Sequence, residues 1–371
     1  MNIGFDISDL ATNRADGTTR FTRELAARLP VLAATHQWQF FAPFDSNAVT
    51  AVSESKNVTK VIAPFPKYWT QLRLPAVLYR HPPDVLFMPI QQLPYIRPKK
   101  VKTVAVIHDL AFHHFGPQFT YKDWLLLHTF TSYVAKHADH IIAVSRATAA
   151  DIAHFYGRTK NVHVIHHGVS HEQFHPPSPT QKSEAQLKLQ TALPAIVKPY
   201  LLYVGQIQPR KNLIRLIDAF ERVKQTRTEL QLVIAGGHGW LQQQILARIA
   251  ASPVKSSIIV TGPVPDELLA PLYWHAEAFI LPSLQEGFGM PILEAQACGC
   301  PVVTSNTSSM PEVAGEGAVL VEPKNTTSIA DGIQTALQNQ SDLTQKGLAN
   351  AQKFSWDATA AKVLKILLSH E

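Results

Sequence analysis

Residues 283–301 read SLQEGFGMPILEAQACGCP, from Ser283 to Pro301, and an apolar run, Ala278–Leu281, leads into them and stops at Pro282. In physical terms this is a strand, a glycine-bearing loop and a helix. Gly287 and Gly289 let backbone N–H groups come close to a ligand. Pro291 suits the first turn of a helix, where a missing N–H is no loss, and Gly299 followed by Pro301 ends that helix. The loop therefore delivers a helix N-terminus, whose orphan amides favour an anion such as a diphosphate. Glu286 lies in the loop and Glu294 about one turn inside the helix. The two carboxylates sit at different depths along one ligand, so that one can hydrogen-bond sugar hydroxyls and the other a ribose.

Outward from this stretch the same strand pattern repeats. Apolar runs occur at Ile3–Ile7, Gln39–Ala42, Val61–Ala63, Val85–Met88, Thr103–Ile107, His140–Val144 and Val162–Ile165. They resume at Tyr200–Val204, Leu230–Ala235, Ser257–Thr261, Pro301–Thr304 and Ala318–Val321, with helical stretches between. These runs are apolar nearly throughout, as parallel strands covered on both faces require, and strand–helix alternation predicts right-handed βαβ units. At about 150 residues per domain, 371 residues predict two. Three prolines in the five residues His175–Pro179 mark the break. The expected division is a first domain over 1–170, a connection over 171–198, a second domain over 199–352 and a closing helix over 353–371. The fold class is α/β, with two facing Rossmann-like, doubly wound domains whose strand carboxyl ends border an interdomain cleft.

A second motif follows the strand that opens the later domain: VGQIQPRKNL, from Val204 to Leu213. Gly205 permits a tight exit from the strand. Arg210 and Lys211 fall where the next helix begins, and two adjacent cations there can neutralise a pyrophosphate leaving group.

Composition narrows the classes. The chain is 46% hydrophobic and 17% charged, enough apolar material for two cores and too little charge for disorder. The net charge of +6 lies in the first half, where residues 1–175 hold 18 Lys plus Arg against 12 Asp plus Glu, while 176–371 hold 16 of each. Such a surface attracts anions. Cys298 and Cys300, one residue apart, form no CxxC pair and no disulfide framework, which suits a reducing cytoplasm. No run approaches a membrane span, and the opening residues lack signal-peptide character. Twelve of the 17 histidines lie between His108 and His175, but with no HExxH and no acidic ligand at helical spacing; no metal is expected.

Glu286 and Glu294 with seven residues between them, PRKNL upstream at 209–213 and MPEVAG downstream at 310–315, resemble the family-4 retaining glycosyltransferases of the GT-B fold. The likeness is strong over roughly 200–370 and weaker over 1–170, and is greatest to the bacterial cell-surface polysaccharide group, where mannosyltransferases are frequent. It implies that Glu286 contacts the donor sugar with the amides of Gly287, Phe288, Gly289 and Met290 lining it. It also implies that Glu294 binds the ribose, that Arg210 and Lys211 hold the diphosphate, and that no cofactor is used. The closing helix, with Trp356, would cross back to the first domain.

In the first domain, VAVIHDLAF at 104–112 places His108 and Asp109 at a strand's carboxyl end. The resemblance puts a histidine here close to the transferred sugar, with Asp109 orienting the loop or the acceptor. DGTTRFTREL, from Asp16 to Leu25, offers Gly17 and a helix N-terminus to the phosphates, although Thr19 stands where relatives usually carry a second glycine. Arg20 reads equally as a phosphate contact or an exposed helix cation. Ser145 is an expected N-cap. The basic and aromatic segments around Lys67–Arg73 and Arg97–Lys102 read either as a membrane-surface or acceptor-lipid patch or as ordinary loops.

The expected function is retaining transfer of a hexose, mannose first, from a nucleotide-diphosphate sugar such as GDP-mannose to a glycan or lipid-linked acceptor. The expected setting is the cytoplasm or the inner face of an anionic membrane, with no nucleic acid partner. A sugar-nucleotide epimerase on the same fold, or a catalytically silent scaffold, are the alternatives.

Overall fold

The computed structural model describes residues 1–12, 17–65, 67–197, 199–237 and 239–369. The chain divides into two compact units. One comprises Met1–Gly168 with the chain from Trp356 onward, and the other comprises Val169–Ser355.

In the first unit the described residues form a seven-stranded sheet, β1 (Asn2–Asp6), β2 (Gln37–Ala42), β3 (Val58–Ile62), β4 (Val85–Met88), β5 (Lys102–Ile107), β6 (His140–Ala143) and β7 (Val162–Val164). The order is β3-β2-β1-β4-β5-β6-β7 and every pairing is parallel. β4 is buried along its whole length, in accord with its unbroken apolar sequence VLFM. The order reverses between β1 and β4, a topological switch point. Ser145 caps the helix Arg146–Tyr156, its side chain accepting from Thr148 N. The closing helix Trp356–Leu368 packs on the helix Gly17–Leu32 of this unit. Trp356 is buried there, edge to face with Phe21 at 6.1 Å, and Thr359 Oγ1 donates to His166 O at 2.8 Å.

The second unit holds six described strands: β8 (Tyr200–Val204), β9 (Gln231–Ala235), β10 (Ile258–Gly262), β11 (Ala278–Leu281), β12 (Val302–Ser305) and β13 (Ala318–Val321). Their order, β10-β9-β8-β11-β12-β13, is again parallel, with its switch point between β8 and β11. The helix Leu213–Val223 buries Leu213, Leu216, Ile217, Phe220 and Val223, the 3.6-residue stripe of a helix lying on a sheet.

The expected connection over 171–198 is corrected here. The second unit already begins at Val169, and residues Pro179–Ala192 form a helix packed on the helix Asp266–His275. Pro179 itself starts the helix, where its missing N–H costs nothing, and Ser178 with Gln181 supplies a capping box.

The basic and aromatic segments are partly absorbed by the fold. Trp69 is buried and donates Nε1–H to Ala63 O at 2.9 Å. Arg97 lies over the Tyr133 ring and donates to Pro94 O, His137 O and Tyr133 Oη. Lys67, Tyr68, Leu72, Lys99 and Lys100 remain exposed. Among the described residues no helix is long and apolar enough to cross a membrane.

Candidate active site

The site in the second unit lies at the switch point, where β8 and β11 end side by side. β8 leaves the sheet through Gly205, whose φ of 149° only glycine adopts readily. Gly236 ends β9 beside it at φ 152°, so close that a Cβ there would lie 2.0 Å from Gly205 O. The chain then turns through the short 3-10 segment Pro209–Lys211 into the helix Leu213–Val223. Asn212 joins the two in a left-handed conformation that Asn tolerates. Its Nδ2 donates to Pro282 O at 2.9 Å and Pro323 O at 2.6 Å, fastening the loop after β8 to those after β11 and β13.

This fastening brings the two sequence motifs together. Glu286 Oε1 accepts from Lys211 Nζ at 2.6 Å and from Ser283 Oγ at 2.6 Å, and Oε2 accepts from Arg210 Nη1 at 3.0 Å. Arg210 Nη1 also donates to Gln285 O at 2.9 Å, and Leu284 N donates to Arg210 O at 2.8 Å. Glu286 and Lys211 are buried. Burial pushes the Glu286 carboxyl up, but the charges of Lys211 and Arg210 outweigh it and hold the group down at about 2. The cluster thus sets one carboxylate between two cations.

The helix Met290–Ala297 starts beside this cluster. Gly289, at φ 101°, stands at its N-cap without a side-chain cap, and Pro291 occupies the first turn as expected. The positive end of the helix dipole therefore faces the loop that carries Glu286. Glu294 is buried one turn in and accepts from Tyr273 Oη at 3.1 Å. Burial and then Glu294 push the Tyr273 phenol well up, so it stays a donor. The Phe288 side chain is buried, 6.1 Å from the Phe354 ring. Cys298 and Cys300 are buried free thiols, pushed up by burial.

The remaining expected residues lie in the first unit. His108 follows β5, and its Nε2 lies 2.7 Å from Pro89 O, just beyond β4. A carbonyl only accepts, so Nε2 carries the proton. The ring stands edge-on to Phe21 at 5.2 Å and to His167 at 5.5 Å. Burial, then His108 and His166, hold His167 well below the usual imidazole range and therefore neutral. Asp109 Oδ1 accepts from Ala111 N at 3.1 Å and so shapes its own loop. Gly17 and Arg20 begin the helix Gly17–Leu32, Arg20 partly exposed and Thr19 buried. Asp16 lies outside the described residues.

The histidines at 113 and 114 have structural partners. His113 stacks on Phe155 at 4.2 Å and bonds Tyr156 Oη at 2.8 Å, and His114 pairs with Asp151 at 3.1 Å. Among the described residues no three His, Cys, Asp or Glu side chains gather as a ligand set. Sequence reasoning missed Ser283, Tyr273 and the fastening role of Asn212. Asn212 carried a signal, since Asn is among the residues that enter the left-handed region most readily.

Two parallel sheets of this order, one with a cationic loop pair at its switch point, define a doubly wound α/β protein of two Rossmann-like units. The chain matches two families in consecutive blocks. Residues 15–173 match "Glycosyltransferase Family 4" and residues 194–367 match "Glycosyl transferases group 1". It belongs to the family-4 glycosyltransferases of the GT-B fold. It is similar to the O-antigen chain mannosyltransferase B of Escherichia coli, 40% identical over 162 residues, which are 43% of this chain and 42% of that one. It is also similar to the serotype-specific mannosyltransferase WbdA of Escherichia coli, 29% identical over 271 residues, 70% of this chain and 32% of that one. The chain thus spans less than half the length of either relative. Its fold is that of HepE of Anabaena, solved with UDP and glucose, at 19% identity with a TM-score of 0.76 and full coverage of both chains.

Proposed function

We propose that the chain is a retaining hexosyltransferase that takes its sugar from a nucleotide diphosphate and passes it to a glycan or lipid-linked acceptor in cell-surface polysaccharide synthesis. The observation that carries this reading is the Arg210–Glu286–Lys211 cluster at the β8/β11 switch point, beside an uncapped helix N-terminus. Its two adjacent cations suit a diphosphate. Glu286, with one lone pair to spare on Oε2, accepts a sugar hydroxyl while it fixes both cations. Glu294 takes the ribose. His108 serves the transferred sugar and Asp109 its loop. Gly17 and Arg20 are auxiliary phosphate contacts.

In the proposed step the bond from the anomeric carbon to the diphosphate oxygen breaks. Arg210, Lys211 and the helix dipole stabilise the charge that develops on the leaving group. The acceptor hydroxyl attacks from the same face, and its proton passes to the departing phosphate oxygen. Two features disfavour a double displacement through Glu286. The carboxylate is held by two cations and a serine, and its low pKa makes it a weak nucleophile. No metal and no cofactor enter the step.

The two mannosyltransferase relatives support mannose as the sugar, with GDP-mannose as the first donor to try. The test is thermal unfolding with GDP, UDP and ADP, followed by transfer from the matching sugar nucleotides. A nucleotide at 100 times its Kd adds about 2.7 kcal/mol. Stabilisation by GDP and transfer of mannose are expected. Stabilisation by UDP alone overturns the GDP-mannose assignment. Isomerisation of a sugar nucleotide without acceptor replaces transfer by epimerisation. No shift with any nucleotide leaves the scaffold alternative.

A further inference from the structure

Resting on the reading of the Glu286 loop as the donor site, the facing chain supplies a second layer of control. β12 and its following turn read Thr304-Ser305-Asn306-Thr307-Ser308-Ser309, with a hydroxyl at five of six positions. Each hydroxyl donates to a main-chain carbonyl of β11 or its loop. Thr304 Oγ1 reaches Leu281 O at 2.9 Å, and Ser305 Oγ reaches Ser283 O at 2.7 Å. Thr307 Oγ1 reaches Leu284 O at 3.4 Å, and Ser308 Oγ reaches Glu286 O at 2.7 Å. Ser309 Oγ reaches Phe288 O at 2.8 Å and shares with Glu286 O at 3.0 Å. The two chains run in the same order, so the side chains prolong the parallel β11–β12 pairing beyond the end of the sheet. Thr304, Ser305 and Ser309 are fully buried. Ser308 holds a left-handed backbone, φ 57°, that puts its hydroxyl on the loop.

In a trans peptide the N–H points opposite the preceding C=O. Turning the Ser283 carbonyl toward Ser305 therefore turns Leu284 N–H the other way, and that N–H donates to Arg210 O at 2.8 Å. By the same geometry, drawing the carbonyls of Glu286 and Phe288 toward Ser308 and Ser309 turns the N–H groups of Gly287 and Gly289 away from those two serines.

We propose that Ser308 and Ser309 are positioning residues for glycosyl transfer, fixing the peptide planes that present the Gly287 and Gly289 amides to the donor. The variants are Ser308→Ala, Ser309→Ala and the double change, each assayed well below its own Tm. Three quantities are measured: kcat and KM for the donor, affinity for the nucleoside diphosphate, and hydrogen exchange of the 283–290 loop. The expected result is a fall in kcat of about tenfold per single change and about a hundredfold for the pair, because small misplacements of a positioned group cost that much. Nucleoside diphosphate affinity should change far less than kcat, and exchange at Gly287 and Gly289 should quicken. Should the double variant not fold, the single changes carry the test. A lower Tm with unchanged kcat and unchanged loop exchange overturns the proposal and leaves a structural clamp. Loop exchange needs no turnover. A wild type that transfers no sugar therefore fails the donor-site reading, whereas unchanged exchange in the variants fails this one.

Discussion

Lys211 Nζ lies 2.6 Å from Glu286 Oε1 although 75 residues separate the two along the chain. They meet because β8 and β11 are neighbours at the point where the strand order reverses, so the loops after both strands leave the sheet on the same side of the crossover. Arg210 completes the cluster on the other carboxylate oxygen. The contact couples stability to the proposed chemistry.

Lys211→Ala strands a buried carboxylate with one cation fewer, and loss of one partner of a buried pair costs about 3–5 kcal/mol. Adding Glu286→Gln should recover part of that loss, since neighbouring changes are not additive. Denaturant titration of the two single variants and the double measures the coupling. In activity, Glu286→Ala should lower turnover more than nucleotide affinity, while Arg210→Ala weakens both, each by about 2–4 kcal/mol of transition-state stabilisation. Wild-type transfer by an Arg210→Ala/Lys211→Ala variant would sink the diphosphate assignment.

Acid should act on the same cluster. The Glu286 carboxyl is depressed to about 2 in the folded chain, so its stabilising contribution is complete above the usual carboxylate range and is lost as pH falls toward 2. Asp6 behaves oppositely. It ends β1 fully buried, its Oδ2 has no hydrogen-bond partner among the described residues, and burial raises its carboxyl to about 7. The folded chain holds that proton where the unfolded chain has released it. Stability therefore declines as pH rises from 3.8 to about 7. Asp6→Asn should raise Tm at pH 8 and change it little at pH 4. An equal shift at both values would remove the titration from Asp6.

Gly236→Ala tests the crossing of the β8 and β9 exits. The added methyl would meet Gly205 O at 2.0 Å, and φ of 152° is strained for any other residue. Gly205 O belongs to backbone that cannot yield cheaply, so a loss of about 3 kcal/mol or more is expected. Retained Tm and nucleotide affinity would show that the exits can move apart.

The closing helix gives a contrast between packing and charge. Trp356 is buried against Phe21, and Trp356→Ala should cost about 3–5 kcal/mol. The neighbouring Arg28–Asp357 pair, 2.8 Å apart, is exposed on the aspartate side, and Asp357→Ala should cost less than about 1 kcal/mol. Comparable losses from both changes would mean that the helix is held by charge.

The sequence by itself determined the local matters. Short apolar runs mark parallel strands because strands covered on both faces have no polar side to show. Pro291 and Gly299 bracket the helix after β11 because each residue's backbone limits are its own. The family followed from motifs contiguous in the chain. Tertiary structure decided the rest. Three prolines looked like a break between domains, yet Pro179 opens a helix that Ser178 and Gln181 cap locally, and only its packing on the helix Asp266–His275 makes it part of the second unit. Glu286, Arg210 and Lys211 were each legible as charged site residues. That they form one buried cluster, clamped from behind by the hydroxyls of 304–309, depends on strand order. Strand order is fixed by burying whole sheet faces at once, a property of the folded unit that no local stretch of sequence displays.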